Sequence, residues 1–249
     1  MRKLGFRDES QGLMNRYINA DGAWDNHLER TRNFIARVVK DRKFDNLAVL
    51  GSGWLLDVPI DLLSGIAGHV WLYDAVHPAQ VIHSLKQYPN VTAISADISG
   101  GALENAFQSV NDYKIHGIKW SPDQICTGRF SPEAEPDFTI SINLLSQIGV
   151  MITDYLSRYM PIDQPEAARI NTLLQQAHLQ LLLPGRSCMV TDVREINTDL
   201  DNGSTATTEL IGLPFPAAVS SDSWEWLFDT EGSYRVGKRT VMQVQALEF

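Results

Sequence analysis

The chain has 249 residues, 44 % of them hydrophobic, a formal charge of −9, and two cysteines, Cys126 and Cys188, 62 positions apart. That cysteine usage excludes a disulfide scaffold or a CxxC zinc site and suits a reducing, cytoplasmic setting. The acidic balance argues against duplex nucleic acid as a partner. The apolar stretches are short, Leu47–Leu50 and Val70–Tyr73 among them, and fall far below the roughly 20 residues needed to cross a bilayer. Basic residues 1–8 have no apolar run behind them and do not read as a secretory signal, so a soluble protein is expected.

Residues 1–20 show no clear period and read as an arm or lid. From Trp24 to Val39 apolar residues fall at helical spacing, with Asp21 or Asp25 available as N-cap. Leu47–Leu50 is a continuous apolar run, as in a strand buried on both faces, and Gly51-Ser52-Gly53 follows it. Residues 54–66 read as a helix with Pro59 in an early turn. Strands are expected at 69–73 and 91–95, with helices at 78–87 and 101–111. Residues 112–136, with three prolines and two glycines, read as an inserted loop or lid. A strand at 138–143, the segment 144–160, a helix at 165–183 stopped by Pro184-Gly185, and a strand at 187–191 follow. Residues 196–222 interrupt the pattern again. Alternation at 224–228 and 240–247, around a turn near Glu231, reads as an antiparallel pair at the sheet edge.

Strands alternating with helices at this spacing predict an α/β fold: a Rossmann-like, doubly wound, mostly parallel seven-stranded sheet, its C-terminal strand antiparallel and helices on both faces. A single domain over residues 1–249 is expected, with an N-terminal arm and helix (1–44) and a core (45–249) carrying insertions near 112–136 and 196–222. In such sheets ligands bind beyond the carboxyl ends of the strands, so the residues just after each strand are the ones to read.

Gly51 and Gly53, flanking Ser52, permit a tight turn and close backbone approach to a ligand. Asp74, followed by Ala75, stands 21 residues beyond Gly53, the distance at which an acid accepts both hydrogen bonds of a ribose diol. Asp97, followed by Ile98, ends the third strand, and Asn143 ends the fourth. Each has a plainer reading. Asp74 and Asp97 suit helix N-caps, and Asn143 suits loop backbone. His77 and Asp192 are further polar candidates, and His27 with Trp24 belongs to a lid or to the core. Trp224, Trp226 and Phe228 read as packing. No metal motif, GxSxG elbow or phosphate loop occurs.

The ordered set of Val49–Gly53, Leu72–Asp74, Ser95–Ile98 and Phe138–Asn143 resembles the successive cofactor motifs of class I S-adenosylmethionine-dependent methyltransferases, over roughly residues 45–249. The resemblance implies that Gly51 and Gly53 bracket the methionine moiety, Asp74 holds the ribose, and Asp97 with Ile98 meets the adenine. It also implies a small-molecule methyl acceptor walled by segments 1–20, 112–136 and 196–222. Two positions depart from the family pattern. Val49 stands where an acid near the cofactor's amino group is common, and Leu55 where a third glycine is usual. Asp57 is near enough in sequence to compensate for the missing acid. An NAD-dependent oxidoreductase and a non-catalytic adenosyl-cofactor-binding domain are the alternative readings.

Overall fold

Leu47–Leu50 and Phe138–Ile142 are apolar without a break because both faces of their strands are covered. Leu47 and Val49 join one core cluster with Phe138, Ile140 and Ile142, whereas Ala48 and Leu50 join another on the opposite face. This is the two-residue period of a pleated strand applied to a sheet with helices on both sides.

The structure, a computed structural model, describes residues 5–118 and 120–249. In chain order it contains α1 (Phe6–Asn19), α2 (Asp25–Val38), β1 (Phe44–Leu50), α3 (Ile60–Ile66), β2 (Ala67–Asp74), α4 (Ala79–Ser84, extended by one 3-10 turn) and β3 (Val91–Ser95). There follow α5 (Ala102–His116), α6 (Pro122–Ile125), β4 (Phe138–Ile142), α7 (Val150–Tyr159), α8 (Gln164–Leu179), β5 (Ser187–Asp199), β6 (Thr205–Glu209), β7 (Ser220–Asp229) and β8 (Lys238–Glu248).

One eight-stranded sheet runs in the order β3-β2-β1-β4-β5-β8-β7, with β6 paired to β5 off this path. Strands β1 to β5 are parallel, and β8 runs antiparallel between β5 and β7. The doubly wound order with a reversed strand is the predicted one. The eighth strand is the difference. Beyond Thr191, β5 continues to Asp199 and turns back as β6, pairing Arg194 with Glu209 through Thr198 with Thr205. Every residue of β6 is exposed, so no apolar alternation marks it.

Two helices also depart from expectation. Residues 54–59 are not helical, and α3 starts after Pro59. α1 occupies the stretch that showed no period. It buries no residue fully, so it lacks the apolar stripe by which an amphipathic helix is read. α2 does have that stripe: Leu28, Thr31, Phe34, Ile35 and Val38 are buried. Its cap position is Trp24 rather than an aspartate. Packing fixes that residue: its ring lies edge-on to Trp226 at 4.7 Å and stacks on Phe228 at 5.5 Å, while its indole N–H donates to the Phe228 carbonyl at 3.0 Å. The alternating aromatics of β7 are thus packing against α2.

Candidate functional site

Because β3, β2, β1, β4 and β5 are neighbours, the carboxyl ends of the first four bring Asp97, Asp74, Gly51–Gly53 and Asn143 into one row along the sheet, and Asp192, inside β5 just past its pairing with β4, continues it. The bend after β1 is held by the Gly51 N–H, which donates to the Tyr73 carbonyl at 2.9 Å. Gly51 has φ 84°, and a Cβ there would run into the Ile142 carbonyl oxygen, so only glycine fits between β1 and β4. Gly53 (φ 39°) faces the Asp74 carboxylate and donates its backbone N–H to Oδ2 at 2.9 Å. The other oxygen accepts from the Val76 N–H at 3.3 Å. Burial pushes the Asp74 carboxyl above its usual range, while the amides of Val76, Gly53 and Ala75 hold it down. An ionised carboxylate has about four acceptor positions, so Asp74 keeps acceptor capacity beyond these two bonds.

His77 follows on the same loop. Its Nε2 lies 2.8 Å from the Ser52 hydroxyl, and Nδ1 is buried without a partner. Burial pushes the ring down to about 4, so it is neutral at pH 7.

A second polar chain crosses the ends of β1 and β4. Asn143 (φ 47°) places its Nδ2 2.8 Å from Asp57 Oδ2 and 3.3 Å from His27 Nε2. His27 Nδ1 accepts from the Trp224 indole N–H at 3.1 Å, and the imidazole stacks on Trp226 at 3.9 Å. Burial pushes His27 down to about 3. Burial also raises the Asp57 carboxyl to about 6; the Asn143 amide and the Arg32 guanidinium pull it down and the Asp74 carboxylate adds to the rise. Leu55, with φ 60°, bends the chain between Gly53 and Asp57. The position of the family's third glycine therefore keeps the left-handed backbone glycine would favour. That conformation costs a branched residue about 1–2 kcal/mol.

The outer members of the row serve their own loops. Asp97 Oδ1 accepts from the Ser99 N–H at 2.9 Å and from the Ser99 hydroxyl, and Oδ2 faces the Leu103 N–H at 3.4 Å, in the first turn of α5. Ile98 is packed in the core with Leu50 and Tyr73. Asp192 is buried and accepts from the Ser146 hydroxyl at 2.7 Å; burial raises its carboxyl. Sequence reasoning missed Arg32 and Ser146, and it read Trp224 as packing alone. No local signal marks these, because each acts on a group far away in the chain.

α1 packs beside the bend after β1, against Trp54, and against α7. Its Gly5 end borders Met151 and Tyr155 of α7 around a cavity of about 190 Å³. Mid-helix, the Ser10 carbonyl accepts from the Trp54 indole at 2.8 Å, and Arg16 sits over the Phe228 and Tyr234 rings. Asn143 Oδ1 and His77 Nδ1 are shielded from solvent and have no hydrogen-bond partner. Among the described residues, no helix is long and apolar enough to cross a membrane, and no cluster of three metal-ligating side chains occurs.

No protein-family profile matches this sequence, and no curated protein is similar to it. Among solved structures, the N-methyltransferase NodS from Bradyrhizobium japonicum WM9, in complex with S-adenosyl-L-homocysteine, is similar over 87 % of this chain and 85 % of its own, at 11 % identity and a TM-score of 0.38. DhpI in its SAH complex covers 96 % of this chain and 94 % of its own, at 12 % identity and a TM-score of 0.40. An rRNA methylase from Streptococcus thermophilus covers 88 % and 95 %, at 10 % identity and a TM-score of 0.34. These are distant likenesses, and the chemistry has to be read from the strand ends. By its strand order the chain has the Rossmann-like, doubly wound fold expected from the sequence, with a reversed strand toward one end.

Proposed function

We propose that the chain is an S-adenosylmethionine-dependent methyltransferase with a small-molecule acceptor. One observation carries the reading: the Asp74 carboxylate is tied to the glycine bend through Gly53 at 2.9 Å. The acid suited to a ribose diol and the turn suited to the cofactor's tail therefore form one rigid unit. The surrounding residues fit such a group. Gly51 leaves no side chain between β1 and β4, while His77 Nδ1 and one end of the Asn143 amide are buried polar atoms without partners. Buried atoms of this kind cost about 1–3 kcal/mol each until a partner arrives. Val49 is fully buried in the apolar core, so an acid at that position would face hydrocarbon. Asp57, brought back by the Leu55 bend, places a carboxyl group beside Asn143 instead.

The cofactor, when bound, supplies a methyl group that is already electrophilic, so the protein's work is alignment and exclusion of water. Asp74 and the β1 bend hold the sugar and tail, Trp54 beside them is tied to α1, and Asn143 with Asp57 stands at the end of β4. The Asp74 carboxylate, held by the amides of Gly53 and Val76, makes this region acidic. That favours a cationic cofactor and a neutral or cationic acceptor over a phosphate-bearing one.

Thermal unfolding with S-adenosylmethionine, S-adenosylhomocysteine and NADH tests the reading. A ligand at 100 times its Kd adds about 2.7 kcal/mol, or roughly 5–10 °C for a chain of this size. Stabilisation by both adenosyl ligands is expected. Stabilisation by NADH alone, or by none of the three, overturns it. Asp74→Ala should weaken S-adenosylhomocysteine binding about 10- to 100-fold through lost charge-assisted hydrogen bonds; unchanged affinity would refute the ribose assignment.

A further inference from the structure

The chain from Trp224 through His27 and Asn143 to Asp57 fixes where a proton must lie. An indole N–H can only donate. Trp224 therefore occupies His27 Nδ1 as an acceptor, at 3.1 Å. The neutral imidazole must then carry its single hydrogen on Nε2, and Nε2–H points at Asn143. If the amide nitrogen faces it, at 3.3 Å, two donors meet. Protonating His27 does nothing for this, since both of its nitrogens would then be donors, one of them facing the indole N–H. Turning the Asn143 amide by half a rotation removes the clash: Oδ1 accepts from His27 Nε2–H. The oxygen then stands against Asp57 Oδ2, at the 2.8 Å separation the nitrogen had. Two oxygens at that distance need a hydrogen between them, and only Asp57 can supply it.

We infer that Asp57 is a protonated carboxylic acid in the ligand-free protein at neutral pH, donating to Asn143 and holding that amide with its NH2 turned to the unpartnered side. Asp57 is a positioning residue, acting through Asn143. The charged groups around it are Arg32 of α2, which favours the ionised form, and Asp74 of β2, which opposes it. Burial already raises the carboxyl to about 6 with an amide N–H facing it; turning the amide takes that donor away and moves the group further in the same direction. The buried end of Asn143 that lacks a partner becomes a pair of N–H donors. Such an edge takes a carboxylate or carbonyl oxygen of a ligand, not an amine hydrogen. None of this depends on which ligand enters.

Asp57→Asn is nearly isosteric and can donate an N–H to Asn143 at any pH, so it mimics the protonated acid. The folded-state pKa of Asp57 lies above its unfolded value, so the wild type loses stability as pH rises through this window and Asp57→Asn does not. Urea unfolding of both proteins from pH 5 to pH 8 reads the difference. The wild-type unfolding constant should rise relative to Asp57→Asn by up to about tenfold per pH unit until Asp57 ionises. A constant offset across the range overturns the inference. Trp224→Phe provides a second arm that does not need the first variant to fold. Without the indole, His27 can protonate Nδ1 and accept from the amide nitrogen, so Asp57 ionises readily and the same pH dependence should shrink. An undiminished dependence in Trp224→Phe overturns it equally.

Discussion

Gly51 and Gly53 sit two residues apart in one bend, yet the structure gives them different work, and alanine at each should separate them. At Gly51 (φ 84°) an added Cβ meets the Ile142 carbonyl oxygen and comes within 3.2 Å of the Leu144 Cβ. The first obstacle is backbone in the middle of a parallel sheet and cannot turn aside. Left-handed strain contributes about 1–2 kcal/mol and forced packing about 1–3 kcal/mol, for a total of about 2–5 kcal/mol. At about 2–4 °C per kcal/mol for a chain of this length, Gly51→Ala should lower Tm by roughly 5–15 °C. At Gly53 (φ 39°) the nearest atom to an added Cβ is Asp74 Oδ2 at 3.6 Å, an ordinary contact. Only the strain remains, about 1–2 kcal/mol and a few degrees. The new methyl group would instead sit against the carboxylate proposed to hold ribose, so S-adenosylhomocysteine affinity should suffer more than stability. Differential scanning calorimetry and titration calorimetry on both variants check this. A Gly51→Ala protein as stable as Gly53→Ala would refute the close approach of β1 and β4 on which the bend depends.

Asp97 bonds to Ser99 and reaches the start of α5, so Asp97→Ala should cost about 0.5–2 kcal/mol of stability; an affinity loss as large as that of Asp74→Ala would support the adenine role that the resemblance implies, and none would count against it. His178 is buried, lies 2.8 Å from the Ser141 hydroxyl, and is pushed down to about 4. Its folded pKa is below its unfolded value, so its contribution is intact above about pH 6.5 and lost as pH falls toward 4, at up to about 1.4 kcal/mol per pH unit. His178→Gln should flatten that acid limb in urea titrations, and an unchanged limb would assign it elsewhere. Trp54→Phe removes the 2.8 Å bond to Ser10, worth about 1 kcal/mol; hydrogen exchange of the α1 amides should quicken roughly fivefold, and unaltered exchange would mean that other contacts hold the helix down.

Elements whose burial pattern is repetitive were legible. β1 and β4 declared themselves as unbroken apolar runs, and α2 by its stripe of Leu28, Phe34, Ile35 and Val38. Asp74 and Asn143 were singled out because parallel strands deliver their carboxyl ends to one side of the sheet, and the structure does bring the two to neighbouring strand ends. α1 and β6 were hidden for one physical reason: neither buries a full face, so neither imposes a period on its residues. The polar chain of the site was hidden for another. Trp224 and His27 stand 197 residues apart and Asp57 and Asn143 86 apart, and nothing local selects one partner over another at such distances. Leu55 is the instructive departure: it stands where a third glycine is usual in the family it resembles, and its backbone is left-handed all the same.

The placement of β8 also dictates when this sheet can be finished. It is made after every other strand, yet it lies between β5 and β7, matched to β5 from Cys188–Glu248 to Asp199–Lys238. Without β8, β5 has an open flank along this length and β7 has no neighbour in the sheet. A chain in which β8 has not inserted therefore presents two unpaired strand edges at once, and those edges are templates for pairing with other chains.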